Sequence, residues 1–289
     1  MVKNYLNLIK FSHTLFALPF AFVGYFLAVC LSDVDIDYFL LIKVILCMVF
    51  ARSAAMAFNR WADRDIDAQN PRTQIREIPA GVISANGALA FTMVNSLLFM
   101  AVTYFINDLC FYLSPLALLV ILGYSYTKRF TAWCHFILGL GLSLAPIGAY
   151  LAVTARFDLI PILFSSTVLT WVAGFDIVYA LQDENFDKQY NLKSIPSRLG
   201  YENAKNLSRV LHFVSAVFLI VAVSNSVIVY QANKPAAILG ALIFILMLLY
   251  QHYIVAKHGT ARINLAFFTL NGVASVIFGL LFVTSLLTG

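Results

Sequence analysis

Apolar stretches of about twenty residues recur from one end of this chain to the other, and no other feature narrows its fold so far. They fall near residues 12–32, 37–60, 88–106, 109–126, 132–154, 158–182, 207–230, 235–255 and 263–287, nine in all. Each matches the hydrocarbon core of a bilayer crossed by an α-helix. Hydrocarbon offers the backbone no water, so a spanning segment must satisfy its own N–H and C=O groups. A helix does this within one segment, and the roughly ten-residue alternation of a membrane barrel is missing. The expected fold is all-α: a polytopic membrane bundle of nine transmembrane helices.

Charge content agrees. Only 11% of the residues are charged and 61% are hydrophobic, whereas a soluble domain carries about 25% charged residues. Such a chain cannot cover a globular surface with polar groups, which excludes soluble enzymes, disordered proteins and secreted disulfide scaffolds. No polar or Pro/Ser-rich linker divides the 289 residues, so one integral membrane domain over 1–289 is expected. The first apolar segment lacks the small-residue cleavage signature of a signal peptide and is expected to stay as a span. Cys30, Cys47, Cys110 and Cys134 lie in or beside apolar runs without ligand spacing and read as buried free thiols.

The net charge of +5 is no sign of nucleic acid, because in a membrane chain the placement of Lys and Arg carries the information. Fifteen of the 19 fall in the N-terminal tail and the second, fourth, sixth and eighth connections; the others are Lys43, Arg52, Arg156 and Lys234. The positive-inside rule then puts the N-terminus in the cytoplasm and the C-terminus outside, in what would be a bacterial plasma membrane.

Two connections on the predicted cytoplasmic side, after the second and sixth spans, are far longer than the rest. Long ordered loops tend to carry function. At about 100° per residue, Asn59, Asp63 and Asp67 share one helical face in the first, and Asp183 and Asp187 share one in the second, while Asp65 and Glu184 point elsewhere. Carboxylates that converge need a cation, and Mg²⁺ prefers oxygen ligands shared with substrate phosphates. Arg64, Arg72, Arg76, Lys128, Lys188, Lys193 and Arg198 stand nearby as partners for a polyanion. Deeper in the spans, Arg52 precedes Asn59 by seven residues and Asp176 precedes Asp183 by seven, so both are expected to face one cavity. An Arg52–Asp176 ion pair and a polar floor for a small acceptor are both compatible with that placement.

These residues resemble the UbiA superfamily of intramembrane aromatic prenyltransferases. The NxxxDxxxD pattern is met by Asn59, Asp63 and Asp67, and the DxxxD pattern by Asp183 and Asp187. The runs Asn70 to Thr73, Ile78 to Gly81, Tyr124 to Arg129 and the Lys193-Ser194 step are also similar, over essentially the whole chain. The resemblance implies helices around a central cavity, with Mg²⁺ held by Asn59, Asp63, Asp67, Asp183 and Asp187. It implies that Arg72, Tyr124 and Lys128 hold the diphosphate of a polyprenyl donor, and that Arg52 and Asp176 lie at the acceptor end. Catalysis would then involve Asp63, Asp67, Asp176, Asp183, Asp187 and Arg52. The implied activity is Mg²⁺-dependent transfer of a polyprenyl group from its diphosphate to a small aromatic acid, first among them 4-hydroxybenzoate and next a dihydroxynaphthoate, in quinone biosynthesis. Glu77, before Pro79, departs from the more basic or neutral stretch of many relatives. The opening Phe11 to Pro19 looks like members named as 4-hydroxybenzoate polyprenyltransferases.

A cation-coupled transporter is the chief rival from another class, but transporter sites usually lie at the bilayer midplane rather than at one surface. The spacing of a CDP-alcohol phosphotransferase is not found. Nothing points to an obligate protein partner. His13, His135, His212, His252 and His258 show no ligand spacing and read as packed or interfacial. Gly139, Gly141, Gly272 and Gly279 read as close-packing positions, and Trp61 and Trp133 as interfacial anchors.

Overall fold

The structure, a computed structural model, describes residues 2–9, 17–32 and 34–289. The expectations for Lys10, for His13 and for the stretch from Phe11 to Phe16 lie outside the described residues. The elements that follow are all helical: α1 Val2–Leu8, α2 Leu18–Ser32, α3 Tyr38–Ala62, α4 Arg64–Gln69, α5 Ala85–Tyr104, α6 Asp108–Thr127, α7 Cys134–Thr154, α8 Leu159–Ala180, α9 Glu184–Gln189, α10 Ile195–Leu199, α11 Tyr201–Val229, α12 Lys234–His258 and α13 Asn271–Leu287. Eight helices among the described residues are long and apolar enough to cross a membrane, and α2 is a shorter apolar helix at the place of the first predicted span.

Four of the long helices begin where a side chain satisfies the first free N–H groups. Asp37 accepts from the N–H of Phe39 and Leu40, Ser84 from Gly87, Asn107 from Cys110 and Asn233 from Ala236. Successive connections lie at opposite ends of the bundle. At one end Lys193 N–H donates to the Lys128 carbonyl (2.7 Å), and Arg129 reaches the Ala62 carbonyl, so three connections meet. At the other, Lys43 bonds the Phe105 carbonyl (2.8 Å) and Asn233 N–H the Ser285 carbonyl (2.7 Å).

Helices in lipid gain little from hiding apolar surface from one another and must associate through packing and a few polar contacts. α8 lies at the centre, between α7 and α11. Its Trp171 is fully buried and meets Phe20, Phe175 and Phe244 at ring-centroid distances of 5.6, 5.2 and 5.2 Å. Such aromatic pairs contribute about 0.5–1.5 kcal/mol each beyond their burial. Gly139 packs on the Leu169 carbonyl and Gly279 on Pro19, where any Cβ would strike backbone or ring.

Several buried polar groups are paired across helices. Trp171 Nε1–H donates to Asn271 Oδ1 (2.9 Å), and Asn271 Nδ2 donates to the Phe267 carbonyl (2.8 Å) within a π-helical turn, Leu265–Leu270. The asparagine side chain thus ties the π turn to Trp171 of α8. His212 Nε2 lies 3.1 Å from the Trp171 carbonyl, which can only accept, so that nitrogen carries the hydrogen. His212 Nδ1 therefore accepts from His252 Nε2–H at 2.8 Å. The two histidines are packed, as expected, and form an inter-helix bond that their spacing did not reveal.

Candidate active site

The two acidic patterns fold into the same local device. α3 ends at Ala62 and the six-residue α4 begins at Arg64, with Asp63 between them at φ −93°, ψ 2°. α8 ends at Ala180, a 3₁₀ turn covers Leu181–Asp183, and the six-residue α9 begins at Glu184, with Asp183 at φ −102°, ψ 4°. Each hinge aspartate thus sits in the sparsely used bridge region of backbone space. Each is followed four residues later, on the short helix, by the second aspartate. Spacing by four keeps the pair on one face despite the break.

The side chains around the two hinges differ. Asp63 is 3% exposed; its Oδ2 lies 2.8 Å from Lys128 Nζ and accepts from Asn59 Nδ2 (3.2 Å). Arg129 stands 3.9 Å from its Oδ1. Asp67, equally buried, accepts from Arg76 NH1 with both oxygens, at 2.7 and 2.8 Å. In the second device Asp183 takes a bidentate pair from Arg72, Nε to Oδ1 at 3.0 Å and NH2 to Oδ2 at 2.5 Å. Arg72 belongs to the first connection, and its NH1 also donates to Tyr179 Oη (3.0 Å). Asn70 Nδ2 adds a contact to Asp183 at 3.3 Å. Asp187 forms no ion pair among the described residues but accepts from the Ser194 hydroxyl at 2.6 Å.

Burial raises the Asp63 carboxyl above the usual aspartate range, against the opposing pull of Lys128. For Arg72, burial works against the charge, but the bonds to Asp183 and Tyr179 outweigh it and hold the guanidinium above its ordinary value.

These groups line a cavity of about 220 Å³ that contains Asn59, Asp63, Asp67, Arg72, Arg76, Tyr124, Lys128, Asp176, Asp183 and Asp187. Nine of the ten residues expected at the site on sequence grounds therefore converge. The tenth, Arg52, is not among the lining residues. It lies eleven residues before Asp63, whereas Asp176 lies seven before Asp183, so it is about one helical turn deeper. Arg52 interacts electrostatically with Tyr124, and its buried Nε has no hydrogen-bond partner among the described residues. The Arg52–Asp176 ion pair, one of the two readings compatible with the sequence, is absent among the described residues. Asp176 instead bonds His135 Nδ1 at 2.7 Å.

Of the surrounding cations, Arg76 lines the cavity as expected. Arg64 bonds the Trp61 carbonyl and Lys188 pairs with Glu184, and neither lines it, nor do Lys193 and Arg198. His135, Asn70, Tyr179 and Ser194 were not singled out for side-chain roles. A histidine in an apolar run carries no spacing signal when its partner is 41 residues away.

The donor set is made of carboxylate and amide oxygens, and Asp63 Oδ1 is buried without a hydrogen-bond partner, which suits a hard cation. Among the described residues no three His, Cys, Asp or Glu side chains come together as a closed metal cage. Mg²⁺ does not require one, because it is commonly bound by one or two carboxylates together with substrate phosphates.

A protein-family model described as the UbiA prenyltransferase family matches residues 17–273. Among curated relatives, a 4-hydroxybenzoate octaprenyltransferase of Vesicomyosocius okutanii is 29% identical over 84% of the chain and 86% of that protein. One of Aliivibrio fischeri (strain MJ11) is 32% identical, and there the match spans 55% of each protein, about half the length of that relative. Among solved structures, the apo form of a UbiA homolog from Aeropyrum pernix K1 superposes with a TM-score of 0.82 at 29% identity, covering 93% of this chain and 96% of that one. A UbiA homolog from Archaeoglobus fulgidus bound to GPP and Mg²⁺ shares the fold, with a TM-score of 0.74 at 21% identity, covering 98% and 99%.

Proposed function

The chain belongs to the UbiA prenyltransferase family, and we propose that it transfers a polyprenyl group from polyprenyl diphosphate to the ring of a small aromatic acid, 4-hydroxybenzoate first. One observation carries this reading: two hinge carboxylates and the cations Arg72, Arg76 and Lys128 line one cavity with Asp176, at the end of an apolar bundle. The names of the curated relatives support the acceptor, and the GPP and Mg²⁺ of the Archaeoglobus homolog support the donor class and the metal.

In this reading Asn59, Asp63, Asp67, Asp183 and Asp187 hold Mg²⁺, which when bound neutralises charge on the departing diphosphate. Lys128 and Arg72 turn from their carboxylate partners toward phosphate oxygens, and Tyr124 adds a hydroxyl donor. The donor's allylic C–O bond breaks with its electron pair going to the diphosphate. The acceptor ring carbon ortho to the hydroxyl forms the new C–C bond, and its ring proton passes to the released diphosphate. Ile66, Leu138 and Phe186 on the cavity wall keep water from the allylic cation. Asp176 faces the acceptor, and Arg52, one turn deeper, supplies positive charge for the acceptor carboxylate. The acidic end faces the cytoplasm of a bacterial cell and Gly289 the outside; accessibility of a tag at Gly289 in intact cells tests this.

The deciding experiment incubates the purified protein in nanodiscs with Mg²⁺, a long polyprenyl diphosphate and a panel of 4-hydroxybenzoate and dihydroxynaphthoates, with the product identified by mass. The expected product is prenylated 4-hydroxybenzoate, formed only with Mg²⁺. Donor hydrolysis without prenylation of any acceptor would overturn the proposal.

A further inference from the structure

Asp176 lies inside a membrane-spanning helix, and its environment is more specific than a buried carboxylate needs. His135, 3% exposed and in the first turn of α7, reaches across to α8 and places Nδ1 at 2.7 Å from Asp176 Oδ2. Its other nitrogen, Nε2, lies 3.3 Å from the backbone nitrogen of Ile195. A backbone N–H can only donate, so Nε2 must present its lone pair and the ring hydrogen must sit on Nδ1. The imidazole is thereby fixed as the Nδ1–H tautomer, donating to Asp176. Protonating it would set two N–H groups against each other at Ile195.

The Ile195 N–H belongs to the start of α10, where Ser194 caps the helix: its hydroxyl accepts from Ser197 N–H (3.2 Å) and donates to Asp187 (2.6 Å). One rigid turn therefore orients the His135 ring on one side and touches Asp187 on the other. Of the Asp176 oxygens, Oδ2 is tied to His135, while Oδ1 has no hydrogen-bond partner among the described residues.

We propose that His135 is a positioning residue that acts through Asp176: it holds that carboxylate with Oδ1 turned to the aromatic acceptor, so that Oδ1 can accept a hydrogen bond from the acceptor hydroxyl. The proposal rests on the prenyl-transfer reading. His135 does not take the proton itself, because its only free lone pair is engaged by Ile195.

The test uses the full chain in nanodiscs and the variants His135→Leu, His135→Asn, Asp176→Asn and the double variant H135L/D176N. An asparagine amide at 135 can retain a donor near the place of Nδ1, whereas leucine cannot. His135→Leu is expected to lower kcat by about 10- to 100-fold, the usual loss when the hydrogen-bond partner of an active-site group is removed. The KM for the polyprenyl diphosphate, and its Mg²⁺-dependent binding measured by calorimetry, should stay within about twofold. His135→Asn should recover most of kcat, and H135L/D176N should be no slower than D176N, since two residues acting through one group are not additive. Equal losses in the Leu and Asn variants, additive losses in the double variant, or parallel loss of donor binding would overturn it.

A second measurement does not depend on turnover. Nitrogen NMR of the labelled histidines should find His135 protonated at Nδ1 and not at Nε2, with the Nδ1 resonance shifted in D176N. The opposite tautomer would sink the proposal even in an active enzyme. A wild-type protein that transfers no prenyl group, while showing the expected tautomer, would instead count against the prenyl-transfer reading.

Discussion

Asp63 and Asp183 occupy matching hinges, each between a membrane-crossing helix and a six-residue helix, with nearly the same backbone angles. Their neighbours differ in kind. The first device is neutralised from its own half of the chain, by Lys128, Arg129 and Arg76. The second borrows Arg72 and Asn70 from the first connection and otherwise relies on the neutral hydroxyl of Ser194. One geometry is thus used with two electrostatic settings. The first is a cation-rich pocket suited to hold phosphate oxygens, and the second a carboxylate pair whose only salt-bridge partner among the described residues belongs to the other device.

Replacing either hinge tests whether they are equivalent in catalysis. Asp63→Ala and Asp183→Ala should each lower Mg²⁺-dependent prenyl transfer by at least about 100-fold, the scale of losing a main charge-stabilising group. Near-normal turnover in either would show that the two devices are not used together. Stability should separate them, because removing one partner of a buried pair costs about 3–5 kcal/mol. Removing Asp63, the more deeply buried carboxylate, leaves Lys128 without its partner, so the melting temperature of Asp63→Ala should fall further than that of Asp183→Ala, in which Arg72 keeps Tyr179 as a partner.

Arg72 is the bridge, so its variants sharpen the comparison further. Arg72→Lys keeps the charge but not the two-pronged geometry and should reduce kcat/KM by about 10-fold, with Arg72→Ala worse than Lys128→Ala for the loss of Mg²⁺-dependent donor binding. A smaller effect concerns pH. Burial raises the Asp63 carboxyl, and a metal must displace its proton. Apparent Mg²⁺ affinity, measured calorimetrically with a non-hydrolysable donor, should therefore weaken as pH falls through that raised value, sooner than for an ordinary aspartate. Asp63→Asn should flatten the dependence. Ser194→Ala should have the least effect: loss of a helix cap is worth about 1 kcal/mol, read as a small drop in melting temperature, with turnover lowered less than in any variant above because Asp187 loses its hydroxyl partner but keeps its carboxylate.

Periodicity and charge placement were enough to locate the spans and the paired aspartates, because both are carried by neighbours in sequence. Other features depend on contacts between distant segments. α11 starts at Tyr201 rather than near 207, since its first polar turns are helical beyond the apolar run. The π turn at Leu265–Leu270 is built from apolar residues like any span, and only the tie to Asn271 and Trp171 distinguishes it. Counting residues upward from Asn59 and Asp183 put Arg52 and Asp176 at one level; the structural match is instead between Asp63 and Asp183, which leaves Arg52 a turn deeper. His135 was invisible as a partner because Asp176 and Ile195 reach it from other helices.

The reach of Arg72 to Asp183 also sets a timetable for biogenesis. Asp63 can meet Lys128 once the fourth span has emerged, but Arg72 waits for a partner 111 residues further along the chain. At ribosomal speeds of about 5–20 residues per second, that is a delay of roughly 5–20 s. During this interval the first half is inserted with its own acidic device already neutralised and its bridging arginine without Asp183. The site is therefore completed late in synthesis, and a nascent chain halted before the sixth span leaves the ribosome with half of the carboxylates and none of the chemistry.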